Sequence, residues 1–179
     1  MSGAADRSFW AFSLALYGRP GVAPVLIGLQ DRLGLDVNML LYCCWAGVEG
    51  IALSRAELTA VEALAEPWQG EVVRPLRALR RRLKGGFGGL PADRVEAYRK
   101  RLNELEIDGE RIAQEAMAAL LQRRRDDGSG ATARVAGNLA AYLQLRKVAV
   151  GDAEQADLRT LLRACCPDAS AAAVSFASE

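Results

Sequence analysis

The sequence predicts an all-α fold, a single-domain helical bundle of about seven to eight helices around a buried central helix. Alanine, leucine, arginine and glutamate dominate the 179 residues, and β-branched residues are sparse. No segment alternates apolar and polar side chains in the manner of a strand. The composition, 51% hydrophobic and 25% charged, is typical of a globular chain. The length is sufficient for one substantial core.

The expected central helix covers residues 37–53, the longest nearly uncharged run of the chain. Asp36 is a good N-cap for it. The run is shorter than the about 20 apolar residues that a membrane-spanning helix requires. On a helical wheel Cys43, Gly47 and Gly50 form a strip of small residues. A second helix could approach closely along this strip.

A different strip of the same helix combines hydrogen-bonding groups, aromatic surface and one carboxylate. Its members are Asn38, Tyr42, Trp45 and Glu49. We expect a ligand pocket or a partner surface here, because these groups would otherwise stand in mostly apolar surroundings. The alternative is that the two aromatic residues pack in the core with their polar tips satisfied, while Glu49 reaches water.

Two helices are expected before the central one. Asp6 or Ser8 can cap the first helix, and Gly18 can end it. The second helix is expected to begin at Val22, and Gly34 suits its C′ position. Joints this short predict that neighbouring helices pack antiparallel on one another.

Two further helices follow the central one. Ser54 and Glu57 have the spacing of a capping box, which predicts a fourth helix that continues until Pro67 breaks or bends it. A fifth helix is expected over residues 68–84, with a kink near Pro75.

The fifth helix carries a basic face opposite its leucines, formed by Arg74, Arg77, Arg81 and Lys84. Residues 74–84 hold six positive charges and no negative one. This face could bind an anionic ligand, an acidic partner or an anionic membrane. The alternative is a solvated face whose arginines pair with carboxylates of the next helix. Those carboxylates belong to Glu104, Glu106, Asp108 and Glu110.

A glycine-rich segment at residues 85–90 predicts a flexible joint. Beyond it, apolar residues at nearly heptad spacing predict one long helix that reaches about Arg125 and is weakened at Gly109. The helix that follows, through Val135 and Leu145, is expected to pair antiparallel with the long one.

A last short helix is expected from Ala153 to Cys166. The alanine- and serine-rich residues 167–179 are expected to be disordered. The sequence therefore predicts a single helical domain over residues 1–166.

The sequence argues against several chemistries. The chain contains no histidine, which removes the commonest general base and the usual nucleophile pairs. It carries no D-x-x-x-D repeat and no phosphate-binding glycine loop. The cysteines form two adjacent pairs, Cys43–Cys44 and Cys165–Cys166, and neighbours on a helix point too far apart to chelate well. No catalytic residue, metal site or cofactor is predicted.

The surroundings of the protein are also constrained. Adjacent cysteine pairs do not resemble a disulfide framework, and no signal peptide or transmembrane segment is recognisable, so a cytoplasmic location is expected. The net charge of +1 gives no global argument for nucleic-acid binding, which is not expected.

Four motifs of the N-terminal half carry a resemblance. They are W-x-F-S-L-x-L-Y from Trp10, P-G-V-A from Pro20, L-Q-D from Leu29 and D-V-N-x-L-L from Asp36. In order and spacing they resemble the signature of a bacterial family of uncharacterised small helical proteins, a domain of unknown function. The resemblance implies a soluble bacterial helical protein and supplies no catalytic residue.

The function that these observations favour is binding rather than catalysis. We expect a regulatory or adaptor module for another protein, or self-association. One alternative is a small-molecule-binding protein or enzyme that takes an apolar or phosphorylated ligand in a helical pocket. A second alternative is peripheral membrane association through the basic helix 68–84, which requires that helix to expose its leucines as well as its arginines.

Overall fold

The computed structural model of the chain describes residues 8–121, residues 128–167 and Phe176. The described residues form helices and no strand, which confirms the predicted fold class. The α-helices are α1 (Phe9–Tyr17), α2 (Val22–Leu33), α3 (Val37–Val48), α4 (Arg55–Trp68), α5 (Arg74–Arg82), α6 (Ala92–Ala119), α7 (Ala131–Arg146) and α8 (Asp152–Cys165). A π-helical segment (Gln69–Val73) joins α4 to α5 without a break, so the described chain forms seven separate helical rods.

The first two helices begin and end where the sequence predicts. The Ser8 hydroxyl accepts a hydrogen bond from the backbone N–H of Ala11 and caps α1, whereas Asp6 lies outside the described residues. Gly34 adopts a left-handed conformation with φ of 65° and ends α2.

Helix α3 ends at Val48, five residues before the end expected from the sequence. The Ile51 N–H donates to the Ala46 carbonyl at 2.8 Å, and the Gly50 N–H donates to the Gly47 carbonyl at 3.2 Å. These two bonds form a Schellman motif, which requires the positive φ of 86° at Gly50. The apolar residues after Gly50 therefore lie outside α3, although their composition suits a helix.

The close approach expected along the small-residue strip occurs at Gly47, where α7 crosses α3. A Cβ atom on Gly47 would lie 2.6 Å from the backbone nitrogen of Val135. Every residue from Asn38 to Gly47 is buried. Helix α3 is therefore the centre of the core, as predicted.

A buried amide ties α7 to the end of α3. The Asn138 Oδ1 accepts from the Leu53 N–H at 2.7 Å, and its Nδ2 donates to the carbonyls of Ile51 and Cys43 at 2.9 and 3.1 Å. Asn138 thus pairs with two backbone groups of the segment that follows α3 and with one carbonyl inside α3. This explains a correction to the predicted topology: α7 packs against α3 and not as an antiparallel partner of α6.

The helix predicted to stop or bend at Pro67 continues as the α4–π–α5 rod. Pro67 and Ala63, whose carbonyl loses its helical partner, are both exposed, so water can replace the missing bond. Pro75 cannot donate to the Glu71 carbonyl, and π hydrogen bonding occurs directly before it. The irregularity expected at Pro75 therefore takes the form of the π segment.

The α4–π–α5 rod and α6 form an antiparallel hairpin. The Trp68 Nε1 donates to the Gly109 carbonyl at 2.9 Å, and a Cβ on Gly109 would lie 3.3 Å from the Val73 side chain. Gly109, expected to weaken α6, thus permits close contact with the π segment. Residues 83–91 form the turn of the hairpin, with positive φ angles at three of its glycines.

The C-terminal helix α8 packs on α2. The Arg32 Nε lies 2.8 Å from a Glu154 carboxylate oxygen, and the same guanidinium pairs with Asp157. Phe176 is buried in the core cluster, and its N–H donates to the Gln155 side chain. The rest of the tail expected to be disordered, except Pro167, lies outside the described residues, as do residues 122–127, which include the expected end of α6.

Among the described residues, no single helix is both long and apolar enough to cross a membrane. Helices α1 and α2 reach that length and composition only together, as a pair bent by 100°.

Candidate functional site

The aromatic members of the predicted strip on α3 lie in the core. Trp45 stacks on Phe9 with ring centroids 5.1 Å apart, and Tyr42 meets the same Phe9 ring edge-on at 5.5 Å. The rings of Tyr42 and Trp45 are 5.9 Å apart. The three rings therefore pack against one another as core side chains.

The polar members of that strip lie at opposite ends of α3. Asn38 is buried near the N-terminus, and its Oδ1 accepts from the Gln114 Nε2 of α6 at 2.7 Å. Glu49 is the C-cap residue and is half-buried. The structure thus brings Tyr42 and Trp45 together but places Asn38 and Glu49 in separate surroundings.

Arg77 of the basic face and the neighbouring Arg80 make an ion-pair network with α6. The Arg77 Nε lies 2.8 Å and the Arg80 Nε 2.6 Å from the Glu106 carboxylate, and Arg77 also pairs with Glu110. Burial by itself would raise the pKa of Glu106, but the hydrogen bonds from Arg80 and Arg77 outweigh burial and lower it. Burial raises the pKa of Glu110, against the opposing effect of Arg77.

The remaining members of the predicted basic face differ in their surroundings. Arg74 pairs with Glu66 at the surface. Arg81 and Lys84 are exposed, and no carboxylate of the described chain forms an ion pair with either. Within the described chain, the members of the basic face that form no ion pair are therefore the two nearest the end of α5.

An apolar groove lies at the turn of the hairpin, next to the end of α5. We call it the hairpin groove; its volume is about 450 Å³. Its lining residues come from α5, the turn and the start of α6, and they are Leu79, Leu83, Phe87, Leu90, Pro91, Arg94, Val95 and Tyr98. Four of them, Leu79, Phe87, Leu90 and Tyr98, are between 43% and 59% exposed. The Arg82 guanidinium lies 5.2 Å from the centre of the Phe87 ring.

Sequence reasoning missed the hairpin groove. The apolar residues of α6 recur at helical spacing, and that pattern predicts a buried stripe whether or not a partner covers it. The signal that could have found the groove is the phenylalanine flanked by glycines in the turn, Phe87, since a large apolar residue in a short exposed turn has no core to enter.

A second site lies deeper in the fold, between α1, α2, the N-terminus of α3, the π segment, α5 and α6. We call it the inner cleft; its volume is about 550 Å³. Its apolar wall includes Trp10, Val37 and Ile107. Asn38 and Gln114 line it as well, so one predicted pocket residue does border a cavity.

A more polar cleft of about 510 Å³ adjoins the inner cleft and shares four lining residues with it. They are Gln30, Asp36, Gln69 and Arg77. The Asp36 carboxylate accepts from the backbone N–H groups of Asn38 and Met39 at 2.7 and 3.1 Å. Burial raises the pKa of Asp36 despite these bonds. Glu49, the expected pocket carboxylate, lines neither cleft.

The described cysteines are free thiols. Cys43 and Cys44 are buried, and burial raises the pKa of both thiols. In the part of the chain that the structure describes, no group of three or more acidic or cysteine side chains is arranged to hold a metal ion.

One comparison with known proteins identifies a family. A family model described as "Protein of unknown function (DUF2390)" matches residues 8–117, which is more than half of the chain. The matched region runs from the cap of α1 nearly to the end of α6 and includes the residues that line the hairpin groove and the inner cleft. The chain matches no curated protein and no solved structure.

Proposed function

We propose that this chain, which belongs to the DUF2390 family of proteins of unknown function, is a regulatory or adaptor module that binds an acidic, amphipathic segment of another protein in the hairpin groove. The observation that carries the proposal is the exposure of Leu79, Phe87, Leu90 and Tyr98 side by side, next to the guanidinium groups of Arg82 and Arg94. The proposed location is the cytoplasm, since adjacent cysteine pairs suit a reducing compartment.

The apolar part of the groove supports a protein ligand. Single exposed apolar residues are ordinary on protein surfaces, but a contiguous patch that forms a concave groove usually marks an interaction site. Two helices and a turn supply the walls here, and such a groove accepts the apolar side chains of an amphipathic helix.

The charges around the groove support an acidic partner. Arg82 lies over the Phe87 ring at the end of α5, Lys84 follows in the turn, and Arg94 lines the groove from α6. Carboxylates that flank an apolar stripe would pair with these cations while the stripe enters the groove. A second copy of this chain is a poorer occupant, because a two-fold interface at the groove would bring the same cations face to face.

Membrane association is the alternative that the test must distinguish from peptide binding. Of the leucines that this alternative requires to be exposed, Leu79 is exposed, whereas Leu76 and Leu83 are half-buried. A groove is concave, however, whereas insertion into a lipid surface favours apolar side chains that project. The proposal therefore commits to a protein segment.

The test uses a synthetic helical peptide of about four turns, with a leucine face flanked by glutamates, and a second peptide in which lysines replace the glutamates. Fluorescence anisotropy is expected to show micromolar binding of the acidic peptide and binding at least about tenfold weaker for the basic one. The double substitution Phe87→Ser and Leu90→Ser is expected to remove binding. Leu64→Ser, which changes an exposed leucine on α4 outside the groove, is the matched control and is expected to bind normally.

Two results would overturn the proposal. The first is equal binding of both peptides, or equal loss in the Leu64 variant, since neither would depend on the groove and its charges. The second is sedimentation of the protein with phosphatidylglycerol vesicles together with no binding of the acidic peptide, which would assign the groove to a lipid surface instead.

A further inference from the structure

Three buried polar side-chain atoms that border the inner cleft have no hydrogen-bond partner within the described chain. They are Ser13 Oγ from α1, Gln69 Nε2 from the π segment and Gln114 Oε1 from α6. Each of these residues is at most 4% exposed. Buried polar groups are nearly always paired, because an unpaired one has lost its bonds to water and gained none. Three such atoms around one cavity indicate an occupant that pairs with them.

The fold holds these groups in place. The Gln114 Nε2 donates to Asn38 Oδ1 at 2.7 Å, which orients the amide and leaves its oxygen available. Gln69 is the first residue of the π segment, and the bond from Trp68 to the Gly109 carbonyl fixes that segment against α6. Short π-helical segments frequently occur at functional sites, where they change the direction of a side chain. Contacts with neighbouring elements therefore fix the positions of Gln69 and Gln114.

The size and walls of the cavity favour a small organic molecule over scattered water. A volume of about 550 Å³ lies in the range of ligand sites, which are mostly apolar with a few convergent polar groups. Trp10, Val37 and Ile107 supply apolar wall, and the unpaired amides and hydroxyl supply the polar groups.

Four of the charged side chains that line the cleft pair with one another: Arg77, Arg80, Glu106 and Glu110. The Asp36 carboxylate accepts the N–H groups at the start of α3, and Arg81 is exposed, so that water screens its charge. Both carboxylate oxygens of Glu106 accept hydrogen bonds from Arg80, and one also accepts from Arg77. Glu110 pairs with Arg77. A charged ligand would have to break these pairs, whereas an uncharged one would leave them intact.

We propose that the inner cleft binds a small, uncharged, planar molecule whose edge presents both a hydrogen-bond donor and an acceptor, as a lactam, a primary amide or a nucleobase does. The acceptor of the ligand accepts a hydrogen bond from Gln69 Nε2, and its donor donates one to Gln114 Oε1. The Ser13 hydroxyl forms a hydrogen bond with either group. The flat body contacts the apolar wall that includes Trp10. This site is independent of the hairpin groove.

The test pairs uncharged probes with charged analogues of the same shape. Uracil and nicotinamide present the required edge, and orotate and nicotinate add a carboxylate. Titration followed by saturation-transfer NMR and by thermal denaturation is expected to show binding of at least one uncharged probe, with an affinity at least about tenfold higher than that of its charged analogue.

Two variants separate a binding role from a structural one. Gln69→Met and Ser13→Ala remove unpaired atoms, so the ligand-free protein is expected to be at least as heat-stable as the wild type, while probe binding falls at least about tenfold. Gln144→Met is the control, because Gln144 is exposed on α7 outside the cleft; it is expected to leave probe binding unchanged.

Three results would overturn the proposal. They are the absence of binding by both uncharged probes at millimolar concentration, equal binding of the charged analogues, and unchanged probe binding in Gln69→Met. A Gln69→Met protein that is less stable than wild type would equally count against it, since the amide would then have a structural partner.

Discussion

Trp45 shares the aromatic cluster of the core with Phe9 and Tyr42, and only 8% of its surface is exposed. Trp45→Ala is expected to lower the free energy of unfolding by about 3–5 kcal/mol, because it removes the stacked ring and leaves a cavity. Urea denaturation measures the change. Trp10→Ala, at a half-buried position beside the inner cleft, should cost less. A nearly unchanged midpoint for the Trp45 variant would contradict the buried position of α3.

The Glu106 carboxylate predicts a pH dependence of stability. The hydrogen bonds from Arg80 and Arg77 lower its pKa in the folded protein below the unfolded value of 4.5, against the opposing effect of burial. A carboxyl group with a lowered folded pKa contributes stability above the unfolded pKa and loses it as the pH falls through the folded pKa. The stability difference between wild type and Glu106→Gln should therefore be largest near neutral pH and shrink below about pH 4.5.

Urea denaturation over a series of pH values measures this difference. Both proteins retain Glu110, whose raised pKa acts in the opposite direction, so its effect largely cancels in the comparison. Glu104→Gln changes an exposed carboxylate of the same helix and is the control. A stability difference that is independent of pH would show that the ion-pair network does not stabilise the charged form of Glu106.

At the scale of elements, two glycines provide a matched pair of predictions. Gly47→Ala places a methyl group against the Val135 backbone and is expected to destabilise the protein by about 1–3 kcal/mol or more, since neither helix can retreat without opening the core. Gly137→Ala, in α7 with no atom within 4 Å of the new Cβ, is expected to stabilise by about 0.5–1 kcal/mol. Thermal or urea denaturation measures both changes; a Gly47→Ala protein that is as stable as the Gly137→Ala protein would contradict the close α3–α7 approach.

Local chemistry made most helix ends predictable from the sequence. The capping box at Ser54 and Glu57, the serine cap of α1 and the glycine end of α2 each depend on residues within one turn of each other. The early end of α3 was missed because a Schellman motif at Gly50 competes with an apolar run that suits a helix equally well. The packing of α7 on α3 was missed because it involves hydrogen bonds between Asn138 and a loop about 85 residues earlier in the chain. A periodic pattern does not indicate contacts at such a separation.

The sites were less predictable than the helices for a related reason. Ser13, Gln69 and Gln114 come from three distant elements, and none stands out by type or spacing. The sequence showed the basic face, but the α5–α6 register determines which arginines form ion pairs. In that register Arg77 and Arg80 pair with carboxylates of α6, and Arg81 is not part of the network. A sequence pattern identifies a face of one helix, whereas a site also requires the neighbour of that face.

At the scale of the whole molecule, the core is unevenly distributed. The main cluster draws on α1, α2, α3, α4, α7 and α8, with Met117 near the end of α6. The outer half of the hairpin has few buried residues, and they lie outside that cluster: Val73, Val95 and Leu102. No side chain of α5, which the structure describes throughout, is buried. The segment that lines the hairpin groove is therefore the part of the described fold with the fewest buried side chains.

This distribution predicts a gradient of local stability that native-state hydrogen exchange can measure. Amides of α3 (Val37–Val48) and α7 should exchange only through global unfolding, whereas amides of α5 (Arg74–Arg82) should exchange through smaller openings with a weaker dependence on denaturant. The acidic peptide proposed to bind the groove should slow exchange in α5 and leave α3 unchanged, because a ligand stabilises only the states that bind it. Equal protection of α5 and α3 in the free protein would contradict this reading of the core, since α5 would then open only together with the buried cluster.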